Sequence, residues 1–164
     1  LSYAYWDSVA SSDLYEIKTS LNHNSIVDVN SEGLIGFHFQ NFDQGALGQE
    51  ESHLVHTRTS SFALFALESF NFDFFDLDVG GRLESVNLRN TSMEKGFFPG
   101  AFSSTIKREV FTNNTVFGGF DFTERAPNAV ELFANGPHHA FEQFEVGDSN
   151  IGVETSYNLS LIHI

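Results

Sequence analysis

The chain has 164 residues, with 8 basic and 22 acidic side chains, a formal net charge of −14, 19 Phe and no Cys. An apolar share of 41% excludes disorder by composition, the missing Cys excludes a disulfide scaffold or Cys-based zinc site, and the acidic balance excludes a sequence-independent grip on nucleic acid. No run approaches the roughly 18 uninterrupted apolar residues of a spanning helix, so Phe spread along the chain beside a charged share of only 18% asks for apolar surface built without helices.

Alternation is the dominant period from the first strand onward. Between Leu14 and Asn22, Tyr15, Ile17 and Leu21 share one face against Glu16, Lys18, Ser20 and Asn22. A turn is expected at Asn30-Ser31-Glu32-Gly33, and the next strand from Gly33 sets Ile35, Phe37 and Phe39 against Gly36, His38 and Gln40. A long connection from Asp43 to Arg58 follows. The strand from Thr57 includes Ser61 to Phe70, apolar on both faces, and ends at the short turn Asn71-Phe72-Asp73. From Phe74 to Glu84, the residues Phe75, Leu77, Val79, Gly81 and Leu83 oppose Asp76, Asp78, Arg82 and Glu84. A second long connection, Asn87 to Phe102, precedes a strand from Phe102 and the short turn Thr112-Asn113-Asn114. In the strand from Thr115, Phe120 and Phe122 flank Asp121.

The third long connection, Arg125 to Val153, holds the best helix candidate, Ala129 to Asn135, with Pro127 at its first helical position. A turn at Gly147-Asp148-Ser149-Asn150 leads to the last strand, where Tyr157, Leu159 and Leu161 oppose Asn158 and Ser160. The total is about seven strands, several reaching the roughly 9–11 residues of a membrane-spanning strand. Short turns alternating with long connections match the two ends of an outer-membrane barrel. Bacterial barrels close with an even number of strands from eight upward. The expectation is therefore an all-β, antiparallel transmembrane β-barrel fragment, an open curved sheet whose residues 1–164 form part of one barrel domain. The chain also starts at Leu1 without a signal segment and stops inside the apolar run Leu161–Ile164, as a fragment would.

From Phe120 to Leu159 the text closely resembles the barrel of TonB-dependent outer-membrane receptors. In that family a strand runs into Arg-Ala-Pro, a Glu-Leu pair follows, and a Gly-Asn/Asp segment leads to Glu-x-Ser at the start of the next strand. Arg125, Pro127, Glu131, Leu132, Gly147, Asn150, Glu154 and Ser156 match. Gly136-Pro137-His138 and Phe144-Glu145 resemble a subgroup that includes zinc-uptake receptors. Gly36 to Phe42, Gly48-Gln49-Glu50-Glu51, Thr57-Arg58-Thr59, Phe62 to Glu68 and Gly80 to Glu84 resemble it too. Two positions depart: Ser160 stands where a plug-facing Glu is common, and Phe141 where the subgroup has Thr. The resemblance implies a bacterial outer-membrane receptor that takes up a scarce nutrient such as a metal chelate, siderophore, haem or zinc. It implies lipid around the wall, a small nutrient ligand, and energy from the TonB complex through a plug region outside this chain.

No cofactor is expected, although zinc or a metal chelate is a candidate cargo. His138 and His139 precede Glu142 and Glu145 in one long connection, and His53 and His56 follow Glu50 and Glu51 in another. Imidazole with carboxylate suits zinc and other borderline metals. The plainer alternative for each group is a loop that caps or packs. Adjacent histidines on extended backbone point to opposite sides, so His138 and His139 chelate one ion only in a bent loop. Arg125 reads as structural, holding a loop or plug through carboxylate contacts, with Glu131 and Glu154 as candidate partners. No Ser–His–Asp spacing, phosphate loop or HExxH motif points to an enzyme. Asp76 and Asp78 share a face as a glycosidase pair would, but on a wall strand a solvated lumen face is much the better reading. The competing class is a secreted soluble β-sandwich binding carbohydrate or metal. It differs in hiding its apolar faces inside.

Overall fold

Alternating aromatic and β-branched residues suit a pleated surface that is apolar on one side, and here they form one continuous sheet. A computed structural model describes residues 9–24, 30–47, 55–112, 114–138 and 142–164. The strands are β1 (Val9–Asn24), β2 (Asn30–Leu47), β3 (Thr57–Asn71), β4 (Asp76–Arg89), β5 (Glu94–Phe97), β6 (Gly100–Phe111), β7 (Asn114–Arg125), β8 (Asn135–His138), β9 (Gln143–Val146) and β10 (Glu154–His163). One short helix, α1 (Ala129–Phe133), lies between β7 and β8. The main sheet is antiparallel throughout, ordered β1-β2-β3-β4-β6-β7-β10, with β5 paired to the far end of β4. Its seven principal strands run from 10 residues in β10 to 18 in β2. Hairpin β8–β9 stands apart from it.

The connections at one end of the sheet are short: residues 25–29, 72–75 and 112–113. Those at the other end are long: residues 48–56, 90–99 and 126–153. Directly paired residues on antiparallel strands share a face. The register therefore gathers Tyr15, Ile17, Leu21, Ile35, Phe37, Phe39, Phe62, Leu64, Leu83, Phe102, Phe120, Phe122, Tyr157, Leu159 and Leu161 on one side. The other side carries Glu16, Lys18, His38, Gln40, Arg82, Glu84, Ser103, Asp121, Thr123, Ser156 and Asn158, interspersed with Leu14, Leu34, Phe65, Leu67, Phe117 and Ile162. Each apolar row expected from the sequence falls on the same face. That face is bare: Leu83 is 75% exposed and Leu159 83%. Its rings still meet across strands, as in Phe122–Tyr157 at 5.3 Å and Phe102–Phe120 at 6.5 Å between centroids. On the polar face, Lys18 of β1 and Asn158 of β10 help line one open concavity of about 550 Å³, so the sheet curves toward that side.

Four expectations are corrected. Asn30 to Gly33 is not a turn but the start of β2, all four residues pairing with β3 and Glu32 and Gly33 also with β1. Gly33 is needed there for close approach, since a Cβ would lie 2.5 Å from the Leu67 carbonyl and 2.6 Å from the Glu68 carboxylate. Pro127 does not open the helix. Asn128 is the N-cap, its Oδ1 accepting from Glu131 N at 2.9 Å while Glu131 Oε2 accepts from Asn128 N at 2.8 Å. The helix stops at Phe133 because Ala134 is already extended and leads into β8. The long connections are also partly ordered, as β5 and as β8–β9.

The small buried core sits on the polar face at the long-connection end. Val86 and Leu88 of β4 meet Ala129 and Leu132 of α1, flanked by Phe97, Ala126 and Phe133. Leu88 and Leu132 are almost fully buried there.

Candidate functional site

Two constellations sit on the concave side. The first is built around Arg125, the last residue of β7 and the register partner of Glu154 in β10. Its Nε and Nη2 donate to Glu154 Oε2 at 3.0 and 2.8 Å, and its Nη1 and Nη2 donate to Glu131 at 3.1 and 2.9 Å. One guanidinium thus ties β7, α1 and β10 together. Lys, a point charge without the planar fork, cannot reproduce both contacts. The Arg125 bonds hold the Glu131 carboxyl below its usual range, and the backbone bond from Asn128 adds to this.

The remaining matched residues complete the same assembly. Pro127 is buried just before the cap. Gly147 N donates to Ala134 O at 2.7 Å and Asp148 N donates to Glu131 O at 2.8 Å. A Cβ at Gly147 would meet the Leu132 carbonyl carbon at 2.7 Å. Asn150 N donates to Asp148 Oδ1 at 2.8 Å, closing the turn before β10, where Ser156 pairs with Thr123. Arg125, Pro127, Glu131, Gly147, Asn150, Glu154 and Ser156 therefore fold the long connection back onto the strand ends.

The second constellation was not legible in the sequence. Glu16 Oε1 lies 2.8 Å from His38 Nε2, and Arg82 Nη2 donates to His38 Nδ1 at 3.2 Å. Arg82 also reaches Glu84 Oε2 through Nε and Nη2 at 3.2 and 3.0 Å. Because Arg only donates, Nδ1 of His38 is the acceptor in that contact, while Nε2, close to Glu16, makes no hydrogen bond among the described residues. Lys18 lies 5.5 Å from the Phe65 ring centre on the same wall. The signal missing from the sequence was register: these residues are far apart along the chain and meet only through the β1–β2–β3–β4 pairing. Asp76 and Asp78 are engaged too, Asp78 accepting from Ser69 Oγ at 2.6 Å and Asp76 lying 3.8 Å from Lys107.

Most of the histidine candidates lie outside what the structure describes. His53 and His139 lie outside the described residues, as does the His138 side chain, although its backbone ends β8. Glu142 is exposed at the β8–β9 turn with a positive φ of 50°, and Glu145 is half-buried opposite Gly136. His56 Nε2 lies 3.0 Å from Asp43 Oδ1, whose other oxygen is held by Arg58. Among the described residues, no three metal-ligating side chains converge. Both connections that carry these histidines belong to the same end of the sheet. No family model matches the chain.

Proposed function

We propose that this chain forms part of the wall of an outer-membrane β-barrel receptor that takes up a scarce nutrient, of the TonB-dependent kind. The observation that carries the membrane half of this reading is the slope of the apolar band. On β1 the band (Tyr15, Ile17, Leu21) centres at position 18, whereas on β10 it centres at Leu159. Through the register Leu159 is level with Phe120, Ser104, Val79, Glu68, Gly33 and then His23 of β1. The band thus shifts five residues over the six strand steps from β1 to β10. At about 3.3 Å per residue and 4.8 Å per strand, a horizontal band requires a strand tilt of about 30°. Membrane barrels tilt their strands by about 35–45°.

Charge marks the same boundaries. Among the described strand residues, outward-facing charged side chains stand beside the band: Asp13, Asp43, Arg58, Arg89, Glu94 and Glu124 toward the long connections, and His23, Glu68, Arg108 and His163 toward the short turns. Arg58 and Glu68 bracket it on β3, ten residues apart. That is about 33 Å along the strand and about 28 Å along the normal at this tilt, close to the ~30 Å hydrocarbon core. A soluble sandwich would cover the apolar face with a second layer, and none packs on it among the described residues.

The receptor half rests on the sequence resemblance, and the Arg125 assembly is consistent with it as a device that shapes a long connection at the barrel mouth. The concave wall sets Lys18, Arg82, Asp121 and Asn158 beside Phe65 and Leu67, a mixed surface that suits a plug packed against it. The nutrient contacts belong to the long connections, with His138, His139, Glu142, Glu145, His53 and His56 as metal-capture candidates. Solubility tests the class directly. The chain is expected to keep its sheet in detergent and to aggregate without it; a folded detergent-free monomer would overturn the membrane reading.

A further inference from the structure

We propose that His38 is a proton-operated latch on the concave wall: it holds Arg82 while its Nδ1 is unprotonated and lets it go when the ring becomes charged. The latch depends on the register of β1 to β4 and not on the receptor reading.

Neighbouring strands converge on the ring. Lys18 of β1 is the direct register partner of His38, and Ala63 of β3 lies on its other side. Ala63 is short and fully buried, so Arg82 reaches across β3 from β4. Arg82 Nη2 donates to His38 Nδ1 at 3.2 Å, and Glu16 Oε1 lies 2.8 Å from Nε2. Among the described residues, the charged groups facing the ring are thus Glu16 and Lys18 from β1 and Arg82 and Glu84 from β4.

The two ring nitrogens are not equivalent. A guanidinium has no acceptor, so the Arg82 contact exists only while Nδ1 keeps its lone pair. Nε2 is shut from solvent and makes no hydrogen bond among the described residues, although Glu16 is so near. A buried polar atom without a partner costs free energy. A second ring position removes that cost: turned toward Glu16, Nε2–H gains a charge-assisted bond. The Arg82 bond at Nδ1 keeps the ring from that position.

Protonation reverses the balance. A proton from water adds to Nδ1, and Nδ1–H then faces a donor. Imidazolium and guanidinium repel at this distance, and Lys18 stands beside them as a third cation. Arg82 keeps its anchor, because Nε and Nη2 both donate to Glu84 Oε2 at 3.2 and 3.0 Å. It therefore pivots away from His38 and stays on the wall. The open concavity of about 550 Å³ that Arg82 lines with Lys18 and Phe65 receives the freed end. Acid thus turns a second cation into the concavity beside Lys18.

NMR of the full chain, labelled with carbon-13 and nitrogen-15 in nonionic micelles, tests this between about pH 8 and about pH 5, the range in which an imidazole changes charge. At the upper end, His38 Nδ1 should give the signal of an unprotonated acceptor, and nuclear Overhauser contacts should join the Arg82 side chain to the ring. Toward the lower end, both ring nitrogens should become protonated and those contacts should be lost with the same midpoint. His38→Gln, whose amide oxygen accepts from Arg82 at either pH, should keep Arg82 in contact with residue 38 throughout. Contacts that survive ring protonation, a separate midpoint for their loss, an equal loss in His38→Gln, or a ring still uncharged at the lower end would each overturn the latch. If the sheet proves folded without micelles, the membrane reading fails, and the same titration in plain buffer still decides the latch.

Discussion

Replacing Leu64 by Arg places a charge where the account puts the middle of the hydrocarbon. Leu64 lies six residues from Arg58 and four from Glu68 on the outward face of β3, about 3 Å from the midpoint between them. It is 55% exposed. In water, such an exposed position tolerates a polar substitution within about 0.5 kcal/mol. In lipid, an outward Arg near the midplane costs about 2–4 kcal/mol, a factor of about 30 to 1,000 in the folding equilibrium. Thr123→Arg on the concave wall is the paired control, with a wet environment under either view. Equilibrium urea unfolding in lipid-doped micelles, followed by far-ultraviolet circular dichroism, measures both. A Leu64→Arg loss within 0.5 kcal/mol of the Thr123→Arg loss would refute the placement of this face in hydrocarbon.

Further outcomes follow from single residues. Gly33→Ala forces a methyl against the Leu67 carbonyl and should destabilise by roughly 1–3 kcal/mol, whereas Gly81→Ala meets nothing within 4 Å and should be neutral or slightly stabilising by the same unfolding assay. Because Arg125 depresses the Glu131 carboxyl, the Glu131 contribution is fully present above the ordinary value of 4.5 and disappears as pH falls through the lowered one. Protease cutting within residues 126–153 should therefore rise on acidification below that range, and Glu131→Gln should flatten the response. At neutral pH, Arg125→Lys should speed the same cutting while the sheet signal is unchanged; an unaltered rate would remove Arg125 as the tie. Zinc titration of the full chain should weaken on His138→Ala and His139→Ala, and unchanged affinity would withdraw those residues as capture ligands.

Much of this arrangement was legible because a sheet with one bare apolar face keeps strict alternation. Tyr15-Ile17-Leu21, Ile35-Phe37-Phe39 and Tyr157-Leu159-Leu161 identify their faces without any knowledge of neighbours. The Arg125 partners were legible for a different reason: Glu131 follows six residues on, in the short helix just beyond the strand end, and Glu154 opens the next strand. Gly33 misled because close approach inside a strand and freedom in a turn select the same residue. Hairpins β5 and β8–β9 lack alternation, and their few residues gain order from pairing with β4 and with one another. The Glu16–His38–Arg82 network and the slope of the band depend on register. Register couples strands far apart in the chain and leaves no mark within any one of them.

The slope also supplies the most direct test of the central claim. The chain has no Cys, so single cysteines carrying nitroxide labels can be placed at Ile17, Leu64, Leu159 and His23 and their depth read by oxygen against nickel-chelate accessibility in lipid. His23 and Leu159 are level by register, yet the account puts them at different depths. It predicts that Ile17, Leu64 and Leu159 share the deep, oxygen-rich layer while His23 reports the nickel-accessible boundary. Equal accessibility at His23 and Leu159, with Ile17 differing from Leu159, would mean that the strands stand without tilt, and it would contradict the barrel wall.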